Sequence, residues 1–357
     1  MRIVFDVSPL SHPRTGIGNY IRGSLAGLVE AAAGRHDVVA FAPTSLRGPG
    51  RIRDALAGIA VETRLWPLPA SHAVRTAWSR LGRPAAESVL GPFDVLHFSD
   101  WMYPPQRAGV RATTIHDLVP LHHPEWTTAR TRAMHARKYT HTVRTCDLVF
   151  TNSAYTAADV VQTLGVDRRR VRVAPPGRGD EFTPDGPRAD IGGPYVLGLA
   201  TLEPRKNLRR LVEAWRLLGG EPALALAGGE GWGEQPDLAD PAIRTLGYVT
   251  DEEVPRLLRG AQAFVFPSLF EGFGMPIVEA MACGTPVVAS AHPSLDEACG
   301  GAAIRVDPAD PKAIAAGIRE AIGRRGELVA LGLAHARRFS WRSVGEIMLR
   351  AYEEAAT

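Results

Sequence analysis

Phe266-Pro267-Ser268-Leu269-Phe270-Glu271-Gly272-Phe273-Gly274-Met275-Pro276-Ile277-Val278-Glu279-Ala280-Met281-Ala282-Cys283-Gly284-Thr285-Pro286 is the stretch from which the fold can be worked out. An apolar run over 261–266 reaches it and stops at Pro267, as a buried strand does. A loop with Gly272 and Gly274 follows, and glycine there permits φ > 0 or a close approach of backbone to a ligand. Pro276 suits the first turn of a helix and Gly284 its C-terminal stop, so the sequence predicts a helix over 276–283. A new apolar run begins at 286–289. Strand, glycine loop, helix and strand in that order make a parallel βαβ unit. The N–H groups and positive dipole end of the helix lie beside the glycine loop, and together they suit an anion, most naturally phosphate.

The same alternation runs the length of the chain. Strands are expected at 2–7, 38–42, 94–98, 112–116, 148–151 and 171–174. A second series is expected at 195–199, 223–227, 261–266, 286–289 and 302–306, with amphipathic segments such as 208–218 and 311–322 between them. This is α/β patterning, and right-handed crossovers make each half a doubly wound, Rossmann-like layer. The halves part at 174–194 (APPGRGDEFTPDGPRADIGGP), where five prolines and five glycines in 21 residues hold neither helix nor strand. In such sheets ligands bind outside the carboxyl ends of the strands, so residues just after strands are the candidates.

Composition excludes several classes. The 357 residues suffice for two domains with their own cores. A net charge of +3 demands no nucleic acid, although only Lys138, Lys206 and Lys312 among the 41 basic residues are lysines. Cys146, Cys283 and Cys299 are too scattered for a disulfide framework or a zinc site. The first residues read as a strand rather than a secretory signal, and no run of about 18 apolar residues is present. A cytoplasmic protein is expected.

Glu271 precedes the helix and Glu279 lies one turn inside it, so the two do not pair on one helical face. Separate hydrogen bonds to hydroxyls, as on ribose or a sugar, account for carboxylates beside a phosphate site. A glycosidase instead needs two carboxylates across one bond.

The string EGFGMPIVEAMACGTPVV, with its Glu-x7-Glu spacing, resembles the retaining glycosyltransferases of family 4, which have the GT-B fold of two Rossmann-like domains facing across a cleft. The resemblance implies that Glu271 contacts the donor sugar, that Gly272, Phe273, Gly274, Met275 and Pro276 form the loop on sugar and diphosphate, and that Glu279 binds the ribose. Thr201-Leu202-Glu203-Pro204-Arg205-Lys206-Asn207 is similar to the family's diphosphate segment, with Lys206 as a point charge and Arg205 as a planar fork. Many members carry an arginine where this chain has Thr201. Leu246-Gly247-Tyr248-Val249 is similar to the nucleobase shelf, which assigns Tyr248 and Val249 to the nucleoside, and the turn 228–233 (GGEGWG) flanks it.

In the first half, Thr15-Gly16-Ile17-Gly18-Asn19-Tyr20 fails the dinucleotide fingerprint because Ile21 stands at the third glycine position, which disfavours a nicotinamide dehydrogenase. The resemblance instead places Gly16 and Gly18 at the donor phosphate and His116 near the donor sugar; Trp101 follows a strand end and suits stacking on a sugar ring, and with Tyr20 and Asp117 it is an acceptor candidate. Tyr103 and Trp126 also follow strand ends. His122 and His123 lack metal-site spacing, and the chain has no Asp-x-Asp, so neither cofactor nor metal is expected. The segment 71–84 (SHAVRTAWSRLGRP) is weakly amphipathic, with Val74, Trp78 and Leu81 on one side, and suits contact with an anionic membrane face. The implied domains are 1–178 on the acceptor side, joined by the C-terminal helix 341–357, and 190–340 for the nucleotide sugar. The expected reaction is hexosyl transfer, best matched by GDP-mannose because TLEPRKN and IHDLVPLHHPEW resemble bacterial polysaccharide mannosyltransferases. The acceptor is a sugar or lipid-linked sugar. A UDP-sugar donor and a nucleotide-sugar epimerase are the alternatives.

Overall fold

A computed structural model describes residues 1–13, 15–99, 101–201, 203–229, 231 and 236–357. The chain divides into two compact units, Met1–Gly177 with Ser340–Thr357, and Arg178–Phe339.

The first unit is built on β1 (Arg2–Asp6), β2 (Asp37–Thr44), β3 (Glu62–Pro67), β4 (Val95–Phe98), β5 (Val110–Ile115), β6 (Leu148–Thr151) and β7 (Val171–Val173). All pair in parallel, in the order β3-β2-β1-β4-β5-β6-β7. The inner strands β4 and β6 are buried at every position, as expected where helices cover both faces. β3 has no counterpart in the sequence expectations. It is an edge strand, ETRLWP, without a single fully buried residue, so it leaves no apolar run to read.

The helix Trp341–Ala356 packs into this unit against the helix Gly16–Ala32. The two backbones meet at glycines. A Cβ on Gly27 would lie 1.8 Å from the Trp341 carbonyl oxygen, and one on Gly345 would lie 2.0 Å from the Gly27 backbone. Val344, Met348, Leu349 and Tyr352 are buried in the same core as β1 and β6, each contributing about 1.5–3 kcal/mol by burial. The Tyr352 hydroxyl meets His97 Nδ1 at 2.5 Å, and His97 Nε2 lies 2.9 Å from Thr114 Oγ1. That chain satisfies three buried polar groups at once.

The second unit contains β8 (Tyr195–Leu199), β9 (Ala223–Ala227), β10 (Ile243–Gly247), β11 (Ala263–Phe266), β12 (Val287–Ser290) and β13 (Ala303–Val306). They form a parallel sheet in the order β10-β9-β8-β11-β12-β13. Apolar clusters lie on both faces, one including Phe264, Phe273 and Ile277, the other Leu211, Trp215 and Ile314. In each sheet the strand order reverses beside its first strand, at β1/β4 and at β8/β11. Such switch points open a crevice at the carboxyl edge.

Candidate active site

The β8/β11 crevice gathers residues far apart in sequence. After β8 the chain makes a short turn of 3-10 helix, Pro204–Lys206, and reaches Asn207 in the left-handed region at φ 59°. Asparagine tolerates that conformation. Its side-chain amide donates to the carbonyls of Pro267 (3.1 Å) and Pro308 (2.7 Å), tying this turn to the segments after β11 and β13. The Leu269 N–H donates to the Arg205 carbonyl at 2.9 Å. Arg205 and Lys206 are thereby aimed at the loop that follows β11.

There they meet Glu271. Arg205 Nη1 donates to one carboxylate oxygen at 2.7 Å and Lys206 Nζ to the other at 2.6 Å. Arg205 also lies 3.5 Å from Glu203. Glu271 is only 7% exposed. Burial alone would raise its pKa, but the charges of Lys206 and Arg205 hold the carboxyl below its ordinary range. The Glu271 N–H donates to Ser294 Oγ at 3.2 Å, an anchor from the segment after β12 that has no sequence signal of its own.

The loop then turns at Gly274, φ 97°, where a Cβ would lie 2.8 Å from Leu295. The left-handed backbone favours glycine there, while the Leu295 side-chain end could shift to admit a Cβ. The helix spans Met275–Ala282 with Pro276 in its first turn. Phe273 is buried and packs on Phe339 at a ring distance of 5.5 Å, so only its backbone is left for a ligand. Glu279 is half-buried one turn into the helix. Beyond β10, Tyr248 is 62% exposed, while Val249 leans on the core. Leu202 and, in the turn after β9, Glu230, Trp232 and Gly233 lie outside the described residues.

In the first unit, Gly16 and Gly18 open the helix Gly16–Ala32, capped by Thr15. A Cβ on Gly18 would find ordinary contacts, Leu10 at 3.8 Å and Thr15 at 3.9 Å, so packing does not require glycine there. His116 follows β5. Burial first, then the positive charges of Lys138 and His135, lower its pKa to about 3, which keeps the imidazole neutral. Lys138 is itself buried and donates to the Thr114 carbonyl at 2.8 Å, a role the sequence did not mark. Tyr20 lies edge-on to His116 at 5.1 Å, but it is buried and its hydroxyl donates to the Ala174 carbonyl at 3.0 Å. It packs behind the histidine rather than offering an acceptor surface. Asp117 accepts from the Val119 N–H at 3.0 Å and shapes the next turn. Asp6, unmarked in the sequence, ends β1 buried and accepts from both the backbone and hydroxyl of Ser8 and from the Ser99 N–H, bracing the β1/β4 crevice.

His122 pairs with Asp159 at 2.8 Å, while His123 pairs with Glu125 and stacks on Trp126 at 3.9 Å. Among the described residues no three metal-ligating side chains converge, and no helix is long and apolar enough to cross a membrane. The expected segment 71–84 is a helix over Ser71–Leu81, but its faces differ from expectation. Trp78 is buried with Arg75, whereas Val74 is 36% and Leu81 74% exposed. Trp78 is drawn inward by its indole N–H, which donates to the Pro84 carbonyl at 2.6 Å, and Arg75 by stacking over Trp101 at 4.7 Å.

Two parallel doubly wound units with these strand orders have the GT-B fold. A family model described as Glycosyltransferase Family 4 matches residues 16–181, and one described as Glycosyl transferases group 1 matches residues 193–324. The O-antigen chain mannosyltransferase B of Escherichia coli is 29% identical over 99% of this chain and 100% of its own. The sucrose-phosphate synthase of Thermosynechococcus elongatus superposes with a TM-score of 0.73 at 19% identity, covering 99% of this chain and 98% of that one. An Anabaena protein solved with UDP-glucose gives a TM-score of 0.73 at 16% identity, covering 99% and 100%. The chain belongs to glycosyltransferase family 4, whose members are retaining and metal-independent. Membership removes the epimerase alternative.

Proposed function

We propose that the protein transfers mannose from GDP-mannose to a hydroxyl of a sugar or glycolipid acceptor in polysaccharide or glycoconjugate assembly. The observation that carries this reading is the grip of Lys206 and Arg205 on the buried Glu271 carboxylate at the β8/β11 crevice. Two cations held ready by one carboxylate suit a diphosphate that must be bound and then released as a leaving group. Mannose is supported by the end-to-end match to a mannosyltransferase.

In this reading residues 190–340 serve the nucleotide sugar. Lys206 and Arg205 leave Glu271 for the diphosphate, together with the loop Gly272, Phe273, Gly274, Met275 and Pro276. Glu271 is then released to the donor sugar, Glu279 takes the ribose, and Tyr248 and Val249 take the base. Residues 1–178 with helix 341–357 serve the acceptor. Neutral His116 hydrogen-bonds the donor sugar, Gly16 and Gly18 approach its phosphates, and Trp101 and Asp117 face the acceptor. The acceptor oxygen bonds to the anomeric carbon on the face from which the diphosphate oxygen departs. Its proton passes to that phosphate oxygen, so the products are a glycoside and a nucleoside diphosphate.

A UDP-sugar is the second reading, because an exposed tyrosine ring accepts either base. Thermal shifts with GDP, UDP, ADP and TDP discriminate, with GDP expected to stabilise most and GDP-mannose to be consumed with retention. No shift with any diphosphate would overturn the reading.

A further inference from the structure

One cavity of the first unit lies outside the residues assigned so far, Trp101 excepted. It has a volume of about 200 Å³ and lies between the helix Ser71–Leu81, the segment after β4 and the helix Ala129–Thr145. Its wall of rings is fixed in place. Trp101 has the edge of His72 at 4.7 Å and the Arg75 guanidinium over its face. Tyr103 stacks on His141 at 4.5 Å, and its N–H donates to Ser79 Oγ at 3.2 Å. Burial first, then the charge of Arg111, lowers the His141 pKa to about 4, so this neighbour is neutral.

The remaining wall is cationic. Arg130 and Arg137 line the cavity about two helical turns apart on the same face, and Arg80 reaches it from the other helix. Among the described residues none of the three has an ion pair or hydrogen bond, and no carboxylate lines the cavity. The two helices together carry seven arginine or lysine residues and no aspartate or glutamate. Elsewhere exposed arginines pair with carboxylates, as Arg324 does with Glu320 and Glu327. Clustered guanidinium groups without counter-charges repel one another and match the oxygens of a phosphate through their planar forks. Aromatic rings beside them suit the apolar face of a sugar. The volume is below the roughly 300–1,000 Å³ of sites that enclose a drug-sized ligand, and so suits a single sugar phosphate.

We propose that this cavity binds the phosphate group of a phosphorylated acceptor sugar, with Arg80, Arg130 and Arg137 on the phosphate and Trp101 and Tyr103 against the ring. The proposal deepens the transferase reading and rests on it for calling the ligand an acceptor. Calorimetric titration with mannose 6-phosphate and mannose tests it, beside vesicles of phosphatidylcholine with and without polyprenyl phosphate. Arg130→Gln and Arg137→Gln are the variants, since neither side chain holds the fold together. The expected result is preference for a phosphate-bearing probe and an affinity loss on the order of 10–100-fold in each variant. Soluble mannose 6-phosphate showing that loss identifies a free sugar phosphate; polyprenyl phosphate vesicles alone showing it identify a lipid-linked one. Equal affinity for mannose and its phosphate, no binding of either phosphate probe, or affinities unchanged in both variants would overturn the assignment. GDP and UDP titrated into the same samples report the donor reading separately, because these arginines belong to the other unit.

Discussion

Replacing Glu271 by glutamine sets two roles of that side chain against each other. In the crevice the carboxylate is the partner of Lys206 at 2.6 Å and Arg205 at 2.7 Å. A diphosphate must therefore compete with it for both cations. Two unit charges about 4 Å apart attract by roughly 4 kcal/mol at an effective dielectric of 20. Most of that is returned as desolvation when partners are exchanged, leaving about 1–2 kcal/mol. Glu271→Gln should accordingly bind GDP or UDP about 5–30-fold more tightly. Turnover of the nucleotide sugar should fall at the same time, because the carboxylate proposed to hold the sugar is gone. Stability should change little, since Lys206 and Arg205 retain side-chain exposures of 16% and 20% and are not left buried without water. Calorimetry with GDP, GMP and GDP-mannose, beside a transfer assay, reads all of these. Weaker GDP binding in a folded variant would show that Glu271 does not compete with the diphosphate.

Four further outcomes are expected. Lys206→Ala should weaken diphosphate binding by about 1.5–3 kcal/mol and monophosphate binding by less; equal losses in calorimetry would move Lys206 away from the distal phosphate. Gly18→Ala should leave the melting temperature unchanged or higher, since its Cβ has room and alanine favours a helix by about 0.5–1 kcal/mol, while donor turnover drops; full activity would exclude close approach of ligand to that turn. Gly345→Ala should cost several kcal/mol in denaturant unfolding, because its Cβ would meet the Gly27 backbone at 2.0 Å and overpacking is not relieved by a rotamer change. His97 is held neutral by burial, with a pKa of about 3, so the unfolded chain takes up its proton first as pH falls. Stability should therefore decline between about pH 6.5 and 3, by up to about 1.4 kcal/mol per pH unit for this group. Denaturant titrations of His97→Gln should show a shallower decline, and an identical slope would refute the assignment.

Most inner strands were legible because they are short, largely apolar runs, and β6, β8 and β9 match their expected limits. The edge strand β3 was not, since it has a neighbour on one side only and nothing forces it to be apolar. At the site, the sequence marks Glu271, Lys206 and Arg205 as separate motifs. Their meeting follows from Asn207, which needs the left-handed conformation and two carbonyl partners from other strands. Ser294 and Asp6 were silent for a related reason: a single polar residue bracing a loop leaves no periodicity. The helix Ser71–Leu81 misled because Arg75 carries a charge that a periodicity reading places in solvent, whereas its guanidinium is buried against the Trp101 ring.

The return of Trp341–Ala356 to the first unit gives that unit a place in time as well as in space. Its seven strands leave the ribosome first, yet the groove made by Gly23 and Gly27 stays uncovered until the second unit has been synthesised. At about 5–20 residues per second, the roughly 160 intervening residues take about 8–32 s. During that interval His97 lacks its Tyr352 partner and the core around Phe150 lacks a wall. The nascent first unit is thus an apolar face awaiting its own distant segment, the period in which a chaperone has most to protect and a ribosome stall most to damage.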